Sequence, residues 1–184
     1  MNKFVLASGS PRRKELLAFL DIDFTIEVSD ICEDLKETLS FPEIVMDLAF
    51  QKAQHIAKNH VDTYVLGFDT LVISNNQALG KPKDRLDGFN MLKELSGESH
   101  LVLTGCAIVY NDTVDMFYDG ATVHFNRMTD TEINEYLDTN EPFDKAGAYG
   151  IQGYGAKYIK KIEGDYYSVM GVPLQKLYNK LRDL

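Results

Sequence analysis

Apolar runs and segments of helical periodicity alternate along this chain. Lys3 to Ala7 reads as a strand and Pro11 to about Leu20 as a helix, followed by a short strand at Phe24 to Glu27. From Pro42 onward Ile44, Val45, Leu48, Ala49, Ala53, Ile56 and Ala57 recur at helical spacing, and the pattern stops near Asn59-His60. Tyr64 to Ile73 is dense in β-formers and reads as a buried strand. Asn75-Asn76 then predicts a hairpin turn into Gln77-Ala78-Leu79. Gly80-Lys81-Pro82 breaks regular structure, and Asp84 to Leu95 reads as a helix. Two long strands follow, His100 to Tyr110 and Val114 to Phe125, joined at Asn111-Asp112. Thr129, with Glu132 three residues on, is a capping box that opens a helix to Leu137. Gly147 to Gly155 carries four glycines and predicts irregular chain. A strand at Tyr158 to Ile162 and a helix from Pro173 to the end complete the pattern. Strands alternating with helices, plus hairpins, predict an α/β fold with a mixed central β-sheet flanked by helices. No repeat, low-complexity stretch or linker divides the chain, so residues 1–184 read as a single domain.

Composition narrows the function classes. The chain has 19 Lys and Arg against 28 Asp and Glu, a net charge of −9. That balance argues against broad binding to nucleic acid or to an anionic membrane. No stretch approaches the length of a membrane span, and the N-terminal apolar run is too short for a signal peptide. Cys32 and Cys106 have no metal or redox spacing and read as two reduced, packed thiols. The four histidines form no zinc pattern. A cytoplasmic enzyme or binding protein is the expectation.

Against that acidic background the basic pair in Ser8-Gly9-Ser10-Pro11-Arg12-Arg13 stands out. Ser10 is placed to cap the helix and Pro11 suits its first position. Arg12 and Arg13 lie in the first turn, where the helix dipole disfavours cations, and a bound phosphate would resolve the conflict. Asp69 is the second signal, a carboxylate inside the apolar run Val65 to Ile73, where it needs a partner. Gly67 before it is a weak strand former, of the kind kept where something approaches the backbone. Glu33 and Asp34 lie in an acidic loop and, beside a phosphate site, supply carboxylates for Mg²⁺. Lys81 on the Gly80-Pro82 turn is a candidate phosphate ligand, whereas Lys52 on the long helix reads as a solvated or snorkelling lysine. Asp144 to Gly153 is the third signal: small residues permit close approach of a ligand, and Gln152 offers an amide suited to a base edge. Asp144-Lys145 also reads as a local ion pair. A phosphate-loop lysine motif, a nucleophile elbow and a dinucleotide fingerprint in strand–helix context are all missing. The residues thus point to a phosphate-bearing small ligand, an ionised carboxylate and a divalent metal, without fixing the reaction.

The segment Leu6-Ala7-Ser8-Gly9-Ser10-Pro11-Arg12-Arg13 with Glu15-Leu16-Leu17 resembles the opening signature of the Maf family of nucleotide pyrophosphatases. Lys52-Ala53, Gly67 to Val72, Leu79 to Pro82, Leu95-Ser96-Gly97 through His100 to Gly105, Glu141-Pro142 with Asp144 to Gly153, and Gly164 to Leu174 match in order. The resemblance implies a two-lobed mixed-sheet fold with a cleft, similar to inosine-triphosphate pyrophosphatases. It implies hydrolysis of a nucleoside triphosphate to the monophosphate and pyrophosphate with a divalent metal (Mg²⁺, Mn²⁺ or Co²⁺). Carried over by motif, Asp69 is the general base, and Arg12, Thr70 and Gln152 are the substrate-selecting positions. Ser8, Arg12, Arg13, Lys52 and Lys81 line the phosphates, with Glu33 and Asp69 at the metal. Gln152 in Tyr149-Gly150-Ile151-Gln152-Gly153 resembles the branch that takes dTTP and UTP. Phe68 stands where alanine is commoner and Val172 where leucine is commoner. Phe68 is therefore a candidate for narrowing the pocket beside Asp69. A homodimer is implied by the family and specified by no residue. The rival readings are a pyrophosphatase for deaminated purine nucleotides such as ITP, and a nucleotide-binding regulator of cell division.

Overall fold

The computed structural model describes residues 3–34, 36 and 38–184. Its centre is one mixed sheet in the order β2-β1-β3-β5-β6-β7. Strands β1 (Phe4–Leu6), β2 (Phe24–Ile26) and β3 (Tyr64–Ser74) are parallel, and β5 (Ser99–Tyr110), β6 (Thr113–Phe125) and β7 (Ile159–Gly164) continue it antiparallel. The short β4 (Gln77–Leu79) folds back on the far end of β3. Asn75 and Asn76 both take positive φ, 48° and 58°, as a tight hairpin of the expected kind requires.

Register creates a gap. β1 covers β3 only up to Leu66 and β4 begins at Val72. From Gly67 to Leu71, β3 therefore has β5 on one edge and no strand on the other. The cleft opens on that bare edge, and it exposes both faces of β3 at once.

Helix α2 (Phe41–Ala57) covers one face, with Ala49, Ala53 and Ile56 packing on Val5, Val65, Ala107 and Val109, and Val45 on Ile73 and Leu103. It starts one residue before the expected Pro42, after Ser40, whose N–H donates to the Glu43 carboxylate at 2.8 Å. The helix lies hard against the sheet because β3 and β5 carry glycine beneath it. A Cβ on Gly67 would stand 2.2 Å from the Ala49 carbonyl oxygen, and one on Gly105 2.2 Å from that of Val45. The close approach at Gly67 is thus by a helix.

The other face carries two separate cores. One joins Phe4, Leu6, Leu66, Phe68 and Ile108 to α1 (Pro11–Leu17) and α6 (Leu174–Arg182). The second joins Val72, Val102, Val123 and Phe125 to α3 (Arg85–Leu95) and α4 (Asp130–Leu137). Between them Thr70 and Thr104, directly paired across β3 and β5, form a polar seam. These are the two lobes and the cleft.

Several expectations change in detail. Helix α1 ends at Leu17 and a 3-10 turn carries the chain to Leu20. Ser10 occupies the cap position, yet its side chain makes no cap bond; its N–H instead donates to Ser8 Oγ at 3.2 Å. Phe68 does not narrow the pocket. Strand alternation turns it away from Asp69 into the first core, where it is fully buried. Cys106 is buried, whereas Cys32 is exposed rather than packed, and both are free. A short helix, α5 (Tyr166–Met170), is absent from the sequence reading; Asp165 caps it by accepting from Ser168 N at 2.9 Å.

Candidate active site

The cleft has a volume of about 840 Å³ and is lined by residues from both lobes. Ser8, Arg12, Arg13, Glu33, Lys52, Asp69, Thr70, Lys81 and Gln152 all border it. Residues separated by as much as the length from Ser8 to Gln152 are brought together because β1 ends beside the bare edge of β3, α2 crosses over it at Gly67, and the segment after α4 borders the same cleft.

Alternation along β3 puts neighbouring functional groups on opposite faces. Asp69 points to the α2 side, where Lys52 meets it with Nζ 2.5 Å from Oδ1. The same ammonium lies 2.9 Å from Glu33 Oε1. The pair Asp69 and Glu33 therefore shares one cation. Asp69 is only 8% exposed, and burial pushes its carboxyl above the ordinary range against the opposing pull of Lys52 and Arg13.

Thr70 points to the seam. Its Oγ1 lies 2.9 Å from Thr104 Oγ1, which donates to the Ser168 carbonyl at 2.6 Å. Arg13 enters from α1 with a fork of three bonds: Nε to the Gly171 carbonyl at 3.1 Å, Nη1 to Ser8 Oγ at 3.1 Å and Nη2 to Thr70 Oγ1 at 3.3 Å. Burial lowers its pKa from the usual value. Arg13 is thus an organiser that fixes Ser8 and Thr70 beside the cleft. Arg12 reaches across instead, its Nη1 3.6 Å from Asp144 Oδ2. The crowding of cations at the start of α1 is relieved by Asp144 and by these three acceptors.

Asp144 accepts from Lys145 Nζ at 2.5 Å, so the expected local pair is present and Arg12 joins it. Burial raises the Asp144 carboxyl, but Lys145 and Arg12 outweigh that and leave it below the ordinary range. Lys81 is exposed at the cleft rim, and Gln152 is exposed within it. Thr104, Ser168 and Gly171 are missed by sequence reasoning. Their contacts depend on strand register and on α5, whose only local signals are Asp165 three residues before Ser168 and Gly171 after the helix.

The donor set for a metal is small. Among the described residues no three His, Cys, Asp or Glu side chains cluster. Glu33 and Asp69 fit a hard divalent cation, such as Mg²⁺, of the kind held by one or two carboxylates and completed by phosphate oxygens and water.

The Maf-like protein family model matches residues 3–184. Two curated relatives, each named dTTP/UTP pyrophosphatase, match over 182 residues at 47% identity. The one from Halalkalibacterium halodurans covers 99% of this chain and 96% of its own, and the one from Bacillus cytotoxicus covers 99% and 95%. Among solved structures, a HAM1 protein from Coxiella burnetii shares the fold, with a TM-score of 0.56 at 18% identity over 100% of both chains.

Proposed function

Because the chain belongs to the Maf family, we propose that it hydrolyses dTTP and UTP to the monophosphate and pyrophosphate. The observation that carries the reading is Asp69, an ionisable carboxylate on the bare edge of β3, joined to Lys52 and Glu33 inside a cleft that Ser8, Arg12, Arg13 and Lys81 also line. Asp69 accepts a proton from water as the water oxygen bonds to the α-phosphorus. The bond from that phosphorus to the bridging oxygen breaks, and pyrophosphate leaves with its electron pair. Lys52 holds the Asp69 carboxylate in place. Arg12 and Lys81 neutralise phosphate charge, and Ser8, fixed by Arg13, donates at the cleft wall, while the Thr70 hydroxyl hydrogen is committed to Thr104 Oγ1.

Glu33 and Asp69 would hold the divalent cation, Mg²⁺, Mn²⁺ or Co²⁺, which when bound supplies Lewis-acid neutralisation of the phosphates. Arg12, Thr70 and Gln152 select the nucleotide, with the Gln152 amide reading the pyrimidine edge.

The test incubates the purified protein with dTTP, UTP, CTP, GTP, ITP and 7-methyl-GTP in Mg²⁺ or Mn²⁺, separating pyrophosphate from phosphate. Pyrophosphate from dTTP and UTP, abolished by EDTA, is the expected result. Turnover mainly of ITP or 7-methyl-GTP would overturn the specificity. Binding without turnover would move the protein to the regulator class.

A further inference from the structure

Gln152 has no side-chain anchor among the described residues, so its place in the cleft depends on its backbone. The chain on both sides of it converges on one carboxylate. Glu141 Oε1 accepts from Gly155 N at 3.0 Å and from Tyr136 Oη at 2.7 Å, while Oε2 accepts from Tyr154 N at 2.8 Å. Tyr136 Oη in turn accepts from Gly150 N at 3.0 Å. Gln152 is thus bracketed, two residues before it by the phenol and two and three residues after it by the carboxylate.

The glycines of this segment follow from that arrangement. A Cβ at Gly153 would stand 2.3 Å from Glu141 Oε2, and one at Gly155 2.5 Å from Tyr136 Oη. Gly153 also has φ +77°, which favours glycine in its own right. These two small residues therefore admit the carboxylate and the phenol. The clasp is itself well held. Tyr136 is buried in the α4 core, and the Glu141 carbonyl accepts from Lys145 Nζ at 2.7 Å.

We propose that Tyr136 and Glu141 are positioning residues that hold Gln152 against the nucleotide base, an inference that rests on Gln152 meeting the base as described above. Neither touches the substrate; both act through the Gly150–Gly155 backbone. Tyr136→Phe leaves the ring in the core but strands the Gly150 N–H and removes one of the two donors to Glu141 Oε1. Glu141→Gln puts an NH₂ group where the backbone N–H groups need an acceptor.

The test is a double-mutant cycle with Gln152→Ala, read by calorimetric binding of α,β-methylene-UTP with Mg²⁺. Tyr136→Phe and Glu141→Gln are each expected to weaken binding about tenfold in the wild-type background and by less than about twofold in the Gln152→Ala background. On dTTP the same variants should raise KM about tenfold and change kcat by less than about twofold. An equal loss in both backgrounds, or no loss in either variant, overturns the inference. Pyrophosphate release by the unaltered protein reports separately on the catalytic reading. A non-additive cycle without turnover would sink that reading alone, and turnover with an additive cycle would sink this one alone.

Discussion

Asp69 and Lys52 form a largely buried ion pair in the cleft. A carboxylate that is 8% exposed is tolerable because an ammonium lies 2.5 Å away. Asp69→Asn keeps shape and a hydrogen-bond acceptor but cannot take a proton. It is expected to lower kcat by about 10² to 10⁴ while the melting temperature stays within a few degrees, measured by pyrophosphate release and thermal unfolding. Near-normal turnover would remove Asp69 from the base role. Asp69 was legible in the sequence because a charge inside Val65–Ile73 demands a reason. The Arg13 hub was not, since its partners Ser8, Thr70 and Gly171 meet only after β1, β3 and α5 are assembled. His100 offers a second test at this scale. It is 3% exposed, lies 2.7 Å from Tyr149 Oη through Nε2, and burial lowers its pKa to about 4. Its folded pKa lies below the unfolded value near 6.5, so its contribution to stability is complete above that value and is lost as pH falls toward 4. The loss is about 3 kcal/mol. The drop in unfolding free energy between pH 7 and pH 4.5 should therefore be smaller in His100→Gln than in the wild type.

Helix α2 and strand β3 carry the site at the next scale. Both were legible: one from apolar residues at helical spacing, the other from an unbroken run of β-formers. How closely they approach was not, because Gly67 by itself fits a helix contact as well as a ligand. The structure resolves it, since the glycines of β3 and β5 leave no room for a Cβ beneath α2. That contact sets the reach of Lys52 to Asp69. Gly67→Ala is expected to push α2 outward, costing about 1–3 kcal/mol in overpacking and lowering kcat more than the stability loss alone accounts for. The comparison is with a substitution equally destabilising but remote from α2, such as Leu177→Val in the α6 core. If both variants lose activity in proportion to unfolding, α2 is only a structural cover.

The whole molecule is two apolar cores on one sheet face with a polar seam between them, and its overall charge opposes its local one. A net charge of −9 repels a nucleoside triphosphate at long range, whereas Arg12, Lys52, Lys81 and Lys145 line the cleft. The two effects respond differently to salt. Exposed charges beyond about 10 Å are screened at 0.1 M, while contacts within a partly buried cleft are screened much less. Long-range repulsion is thus removed first as salt rises. A protein that captured its substrate through a broad basic surface would lose kcat/KM steeply over the same range. Here kcat/KM for dTTP, at constant free Mg²⁺, should be no lower at 0.1 M NaCl than at 0.01 M. A steep fall would mean that the cleft cations project well beyond its rim and govern capture, so that the acidic remainder of the surface is too distant to matter.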